Sequence, residues 1–249
     1  MIGGLRARLG LLSDSPVDGI LSEINDPKGV IDDGFRETAR RLHDKIQKER
    51  QEQEVKPYTS AQAAIFLQAL TNAANFHHGQ LRKNKETYFD GHLVPTVENL
   101  LGYAGITGPP TLSAGLLHDA HEDQNIPLET LLPAAQIRNL LERFAVAGPD
   151  EDLEPSWIDT QVQRMVDGMS KMKGLVNATR EEVRAATFFH LLEIARDSGP
   201  RVIIVKGAGD RISNLPTLNI KSESSKARSL DETEQNYIDE QDFFEFEQN

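Results

Sequence analysis

Along most of this chain apolar residues recur at helical spacing, and polar residues fill the intervening positions. Ala61, Ala64, Ile65, Leu67, Gln68, Leu70, Ala74 and Phe76 mark the apolar face of a helix that Thr59 or Ser60 caps and Gly79 stops. Residues 94–103 return to the same spacing, with Pro95 tolerable in a first turn. After a turn at 105–110 the pattern predicts one continuous helix over 111–123, then a short helix opening at 126–129 with an acidic first turn. Residues 157–169 and 181–195 are amphipathic and long enough for helices, and an acidic loop is expected at 148–156. Residues 37–54 are dense in charge and read as a solvated helix that Pro57 ends. The β-branched run 201–205 fits a strand or the buried start of a helix equally well. Residues 1–35 are a Gly- and Pro-punctuated leader, and 232–246 fit a terminal helix docked through Tyr237, Phe243 and Phe244. With nearly every element helical and no internal repeat, the expected fold class is an all-α bundle.

Composition narrows the chemistry. The 249 residues suffice for one large or two small domains with a real core. There is no cysteine, which excludes disulfides, zinc-thiolate sites, iron–sulfur clusters and thiol nucleophiles. Any metal must therefore sit on imidazole and carboxylate, which favours manganese, iron, magnesium or non-thiolate zinc. A net charge of -12 argues against nucleic acid as a partner. No apolar run approaches membrane-spanning length, and Ser13, Asp14, Ser15 and Pro16 interrupt the start too early for a signal peptide. A cytoplasmic location is expected.

The densest chemistry lies in His118-Asp119-Ala120-His121-Glu122-Asp123, reached through the apolar pair Leu116-Leu117. On a continuous helix His118 and Glu122 share one stripe, and Asp119 and Asp123 the next. Titratable groups crowded on one face repel and resist desolvation, and a cation would resolve the conflict. A hydrolytic metal site needs further ligands, for which His92 and Asp210 are candidates; Glu122 and Asp123 stand a turn beyond, placed to orient or deprotonate a water. The run Arg82-Lys83-Asn84-Lys85, with Lys206 and Arg211, pools positive charge in an acidic chain and suits an anionic substrate. His43-Asp44 lacks acidic partners a turn later and reads as surface. His121 is expected beside the ligands or exposed, and no chemistry is assigned to His77 or His78.

Taken in order, these motifs resemble the HD-type hydrolase domain of the RelA/SpoT family, which removes the 3′-pyrophosphate from (p)ppGpp, the stringent-response alarmone. His77-His78-Gly79-Gln80-Leu81-Arg82-Lys83, Tyr88 and His92 are similar to that family's opening signature. His118, Asp119, Glu122 and Asp123 match its H-D-x-x-E-D motif, and Val166-Asp167-Gly168-Met169-Ser170-Lys171 its V-D-G-x-(S/T)-K segment. Val205 to Thr217 resembles its last motif, I-K-L-A-D-R-x-x-N-x-x-T. The resemblance implies an HD-domain helical bundle over 56–221, flanked by a partly helical extension at 1–55 and an acidic tail or docking helix at 222–249. It implies one divalent metal, usually manganese, on His92, His118, Asp119 and Asp210. Glu122 and Asp123 would activate and position the attacking water. Arg82 and Lys83 would meet the base and phosphate side of the nucleotide, and Asn214 and Thr217 the ribose and 3′-phosphate.

The sequence also departs from that pattern. Asn84-Lys85 replaces a small pair after Arg-Lys, one residue is inserted between Lys206 and Asp210, and Ser213 and Pro216 replace a His and a commonly basic residue. The changed loop keeps two other substrates open, an adenine alarmone and the 2′-phosphate of NADPH. A reading of another class, a non-catalytic nucleotide-sensing module, predicts loss of a ligand or of Glu122 or Asp123, and all six are present.

Overall fold

In the computed structural model, residues 15–144, 153–172, 175, 177–216 and 226–227 are described. Ser15 caps α1 (Pro16–Leu21), whose Val17, Ile20 and Leu21 are buried. The first stretch of the expected leader that is described is thus helical and tied into the core. Asp32 caps α2 (Asp33–Glu52) by accepting from Phe35 N. This helix is solvated on one face only: Phe35, Ala39, Leu42 and Ile46 are buried on the other. His43 lies at the edge of that face and is 9% exposed, so the surface position expected for it is corrected. Burial depresses its pKa, against the pull of Asp44.

A capping box opens α3 (Ser60–Phe76): Thr59 accepts from Gln62 N, and the Gln62 side chain accepts from Thr59 N. The expected single apolar face becomes burial nearly all round, because α1, α5 (Pro109–Leu117) and α7 (Ala134–Phe144) all pack on this helix. Gly79 ends the element at φ 78°, a backbone conformation that suits glycine. A loop follows, closed by a bridge between Leu81 and Thr87, and it leads through a π-turn (Phe89–Leu93) into α4 (Val94–Gly102).

The expected continuous helix over 111–123 is corrected. It is α5, with every residue buried, and a separate α6 (Ala120–Gln124), and the break falls at His118 and Asp119. Asp119 sits at φ -92° and ψ -8°, in the bridge region outside regular helix geometry. The short helix foreseen near 126–129 is a 3-10 turn (Leu128–Thr130). Of the expected acidic loop, Glu154 caps α8 (Pro155–Met169), whose first turn holds Pro155 and Ser156. The α9 helix (Arg180–Ser198) opens on a second capping box, Thr179 with Glu182. The ambiguous β-branched run is helical: α10 (Arg201–Ile204) passes into a π-helix (Val205–Arg211) and then α11 (Ile212–Asn214).

No strand or sheet occurs among the described residues, in keeping with the all-α expectation. The helix expected over 232–246 lies outside the described residues. Two glycines bring the site's supports together. A Cβ on Gly115 would lie 2.8 Å from Leu100 Cδ1, and one on Gly209 would lie 3.0 Å from Thr96 Cγ2, so α5 and the π-helix both pack directly onto α4.

Candidate metal centre

Four donors expected from the sequence converge between α4, α5 and the π-helix, and each comes from a break in regular α geometry. His92 is in the π-turn, His118 and Asp119 form the break between α5 and α6, and Asp210 is in the later π-helix. In a regular helix adjacent residues point about 100° apart; the break lets His118 and Asp119 face the same point. Nε2 of His92 lies 3.2 Å from Nε2 of His118 and 3.0 Å from Asp119 Oδ2. His118 Nε2 is 2.9 Å from that same carboxylate oxygen. Asp210 Oδ1 completes the set, 3.5 Å from His92 Nε2 and 3.6 Å from His118 Nε2.

Hydrogen bonding fixes how the imidazoles are presented. His118 Nδ1 is 2.8 Å from Gly115 O, which can only accept, so the proton is on Nδ1. Ser213 Oγ gives its proton to Asp210 O at 2.7 Å and therefore accepts from His92 Nδ1 at 2.9 Å. Both Nε2 atoms thus turn toward the carboxylates with their lone pairs, an arrangement that suits a cation held on two neutral imidazoles and two carboxylates. Without one, a proton has to serve. Burial opposes protonation of His118, but Asp119 and Asp210 outweigh it and raise its pKa to about 10. Burial likewise opposes ionisation of Asp119, and the two histidines override it, leaving its carboxyl well below the usual range. For Asp210, burial is outweighed by Lys206 and then His118, again in favour of the charged form.

A layer of supporting side chains surrounds the donors. The Tyr88 hydroxyl donates to Asp119 Oδ2 at 2.6 Å, and burial together with that carboxylate raises its pKa. Its ring stacks on His77 with centroids 4.9 Å apart and meets His92 edge-on at 5.1 Å; His92 meets His118 at 5.1 Å in turn. His77, to which the sequence assigned no chemistry, is 2% exposed and bonds Gln80 Oε1 through Nδ1 at 2.6 Å. Lys206 and Asp210 both lie in the wider π-helix, with Lys206 Nζ 2.7 Å from Asp210 Oδ2. Sequence spacing singles out neither Tyr88 nor Ser213, and only the order of motifs hinted at Tyr88.

Glu122 and Asp123 lie on α6, and neither carboxylate bonds any of the four donor side chains among the described residues. Glu122 pairs with the Lys171 ammonium and accepts from Lys171 N at 3.2 Å, which links it to the end of α8. Asp123 accepts from Gln80 Nε2 at 3.2 Å. Arg82 and Asn214, 132 positions apart, meet at 3.1 Å, and Asn214 Nδ2 reaches Asp210 Oδ1 at 2.8 Å. Arg82 also bonds Gly91 O. Lys83 and Asn84 are both exposed on the loop, and the Asn84 side chain bonds Glu86 there. Thr217 lies outside the described residues. His121, half-buried, holds Ile126 O at 2.8 Å through Nδ1. A cleft of about 670 Å³ between Asp90, Tyr103 and Leu215 touches the centre only through Ser213 and carries none of the four donors.

The sequence is similar to those of known proteins. The chain is 34% identical over 177 residues to a protein of Myxococcus xanthus named GTP pyrophosphokinase, covering 68% of the chain and 19% of that relative. It is 30% identical over 168 residues to a guanosine-3′,5′-bis(diphosphate) 3′-pyrophosphohydrolase of Spiroplasma citri, covering 66% of the chain and 19% of the relative. It is also 39% identical over 85 residues to the Mus musculus pyrophosphohydrolase MESH1, covering 33% of the chain and 48% of the relative. The chain is a homologue of the RelA/SpoT family. No protein-family model matches it. This RelA/SpoT homologue spans about a fifth of the long relatives and about half of MESH1. No described helix is long and apolar enough to cross a membrane.

Proposed function

We propose that the chain is a metal-dependent hydrolase that removes the 3′-pyrophosphate from (p)ppGpp-type alarmones in the cytoplasm. Residues 56–221 form its HD-type domain, and His92, His118, Asp119 and Asp210 hold one Mn2+. The observation that carries this reading is the 3.2 Å approach of two imidazole nitrogens whose Nδ1 protons are already committed, beside the half-buried Asp119 and buried Asp210 carboxylates. Relatives named for the same hydrolysis support that substrate class. A thiol-free set of imidazoles and carboxylates suits manganese.

A divalent cation supplies Lewis acidity, lowering the pKa of a water and countering charge on a phosphoryl oxygen. The protein's own groups do the rest. Glu122, held in place by the Lys171 ammonium beside it, takes the proton of the attacking water. Asp123, oriented by Gln80, aligns that water. Arg82 and Lys83 receive the base and phosphate side of the nucleotide; Asn214 and Thr217 receive the ribose and 3′-phosphate. Attack by that water on the inner phosphorus of the 3′-diphosphate breaks its bond to the ribose 3′ oxygen, which takes up the proton as pyrophosphate leaves.

The test is pyrophosphate release from ppGpp by the full chain with Mn2+ and with EDTA, beside ppApp, and phosphate release from NADPH. Mn2+-dependent release from ppGpp is the expected result. Turnover of ppApp or NADPH alone would move the substrate assignment, and no turnover of any of them by the metal-loaded protein would sink the enzyme reading.

A further inference from the structure

Lys206 and Asp210 are four residues apart, within a π-helix that opens the turn by one residue. The segment is held in that shape by close packing. Gly209 lacks the Cβ that would sit 3.0 Å from Thr96 Cγ2 and 3.2 Å from Leu100 Cγ, and Asn99 Nδ2 bonds Gly209 O at 3.4 Å. Val205, just before Lys206, is fully buried. The ammonium is thereby fixed against one oxygen of a carboxylate whose side chain is 9% exposed.

The two oxygens of Asp210 have different neighbours. Oδ1 faces both imidazole Nε2 atoms and accepts from Asn214 Nδ2 at 2.8 Å. Oδ2 belongs to Lys206 at 2.7 Å, the distance of a charge-assisted hydrogen bond. A carboxylate with both oxygens available can chelate a cation through both. We infer that Lys206 is a positioning residue that restricts Asp210 to donating Oδ1 alone, leaving the coordination position that Oδ2 would take for water or a substrate oxygen. The inference rests on the hydrolase reading only in requiring that the four donors hold a divalent cation. Its cost is affinity, since a fixed positive charge behind a ligand repels the ion that the ligand binds.

That cost makes the role distinguishable from ordinary structural support, because the two predict opposite changes. Mn2+ binding is followed by electron paramagnetic resonance of the free ion, and exchangeable waters on bound Mn2+ by water-proton relaxation. Removing that repulsion, Lys206→Met should bind Mn2+ about tenfold more tightly, with one exchangeable water fewer and slower ppGpp hydrolysis; Lys206→Arg should restore wild-type values. Lys206→Gln serves if the Met variant loses its helical circular dichroism. Weaker Mn2+ binding, or unchanged hydration in the folded variants, would overturn the inference while leaving the hydrolase reading standing. A wild-type chain that binds no Mn2+ would overturn both.

Discussion

His92 and His118 present their Nε2 atoms to each other at 3.2 Å while their Nδ1 protons are held by Ser213 Oγ and Gly115 O. Two acceptors forced together in a buried site leave room for one positive species between them, a proton or a cation. The two compete.

Metal binding should therefore release a proton. The folded-state pKa of His118 is raised to about 10, so at neutral pH its ring is protonated until an ion displaces the proton. Mn2+ affinity should rise about tenfold per pH unit below that pKa. Calorimetry at neutral pH in buffers of differing ionisation enthalpy should report about one proton per ion. For the metal-free chain the sign is opposite. A raised His pKa gives stability that is fully present below the ordinary value of 6.5 and is lost as pH climbs through 10. Thermal melts in EDTA should fall over that window. A flat profile would contradict the ion pairing.

Ser213→Ala removes the acceptor that fixes the His92 tautomer at 2.9 Å. Mn2+ affinity should drop about 10- to 100-fold with little change in circular dichroism. Unchanged affinity would show that packing alone orients His92.

Asp119 and Glu122 lie three residues apart but should separate cleanly. Asp119→Ala deletes the carboxylate shared by both imidazoles and should abolish stoichiometric Mn2+ binding. Glu122→Ala should bind the ion normally and lose about 10²- to 10⁴-fold in turnover, the range for a general base. Normal rates in both variants would make the assigned roles wrong.

Gly209→Ala tests the packing beneath the π-helix. Its Cβ would press on Thr96 and Leu100 at 3.0 and 3.2 Å, overpacking that costs about 1–3 kcal/mol. Chemical denaturation should show that loss, accompanied by weaker Mn2+ binding as Asp210 shifts.

The helices were legible because their signals are local. Thr59 with Gln62 and Thr179 with Glu182 announce helix starts within four residues. The four side chains that converge, His92, His118, Asp119 and Asp210, were legible as residue types in motif order. What hid was every departure from the 3.6-residue period. Periodicity carries no sign of the bridge conformation at Asp119 or of the π-helix around Lys206. The burial of His43 was hidden because charge density masked the apolar stripe of Phe35, Ala39, Leu42 and Ile46. Ser213 and Tyr88 act on residues 121 and 31 positions away, and no spacing rule links such partners.

The ring column of His77, Tyr88, His92 and His118 has a practical consequence. The phenol in its middle donates its proton to Asp119, the carboxylate shared by both imidazoles, so its transition energy and optical activity are tied to the charge at the centre. The chain has four tyrosines and one tryptophan, and Trp157 is 42% exposed, so few chromophores compete for the signal. Near-ultraviolet circular dichroism of the unlabelled protein, with Tyr88→Phe as the blank, becomes a gauge of whether the proposed metal site is filled: the fold has set a dye beside it.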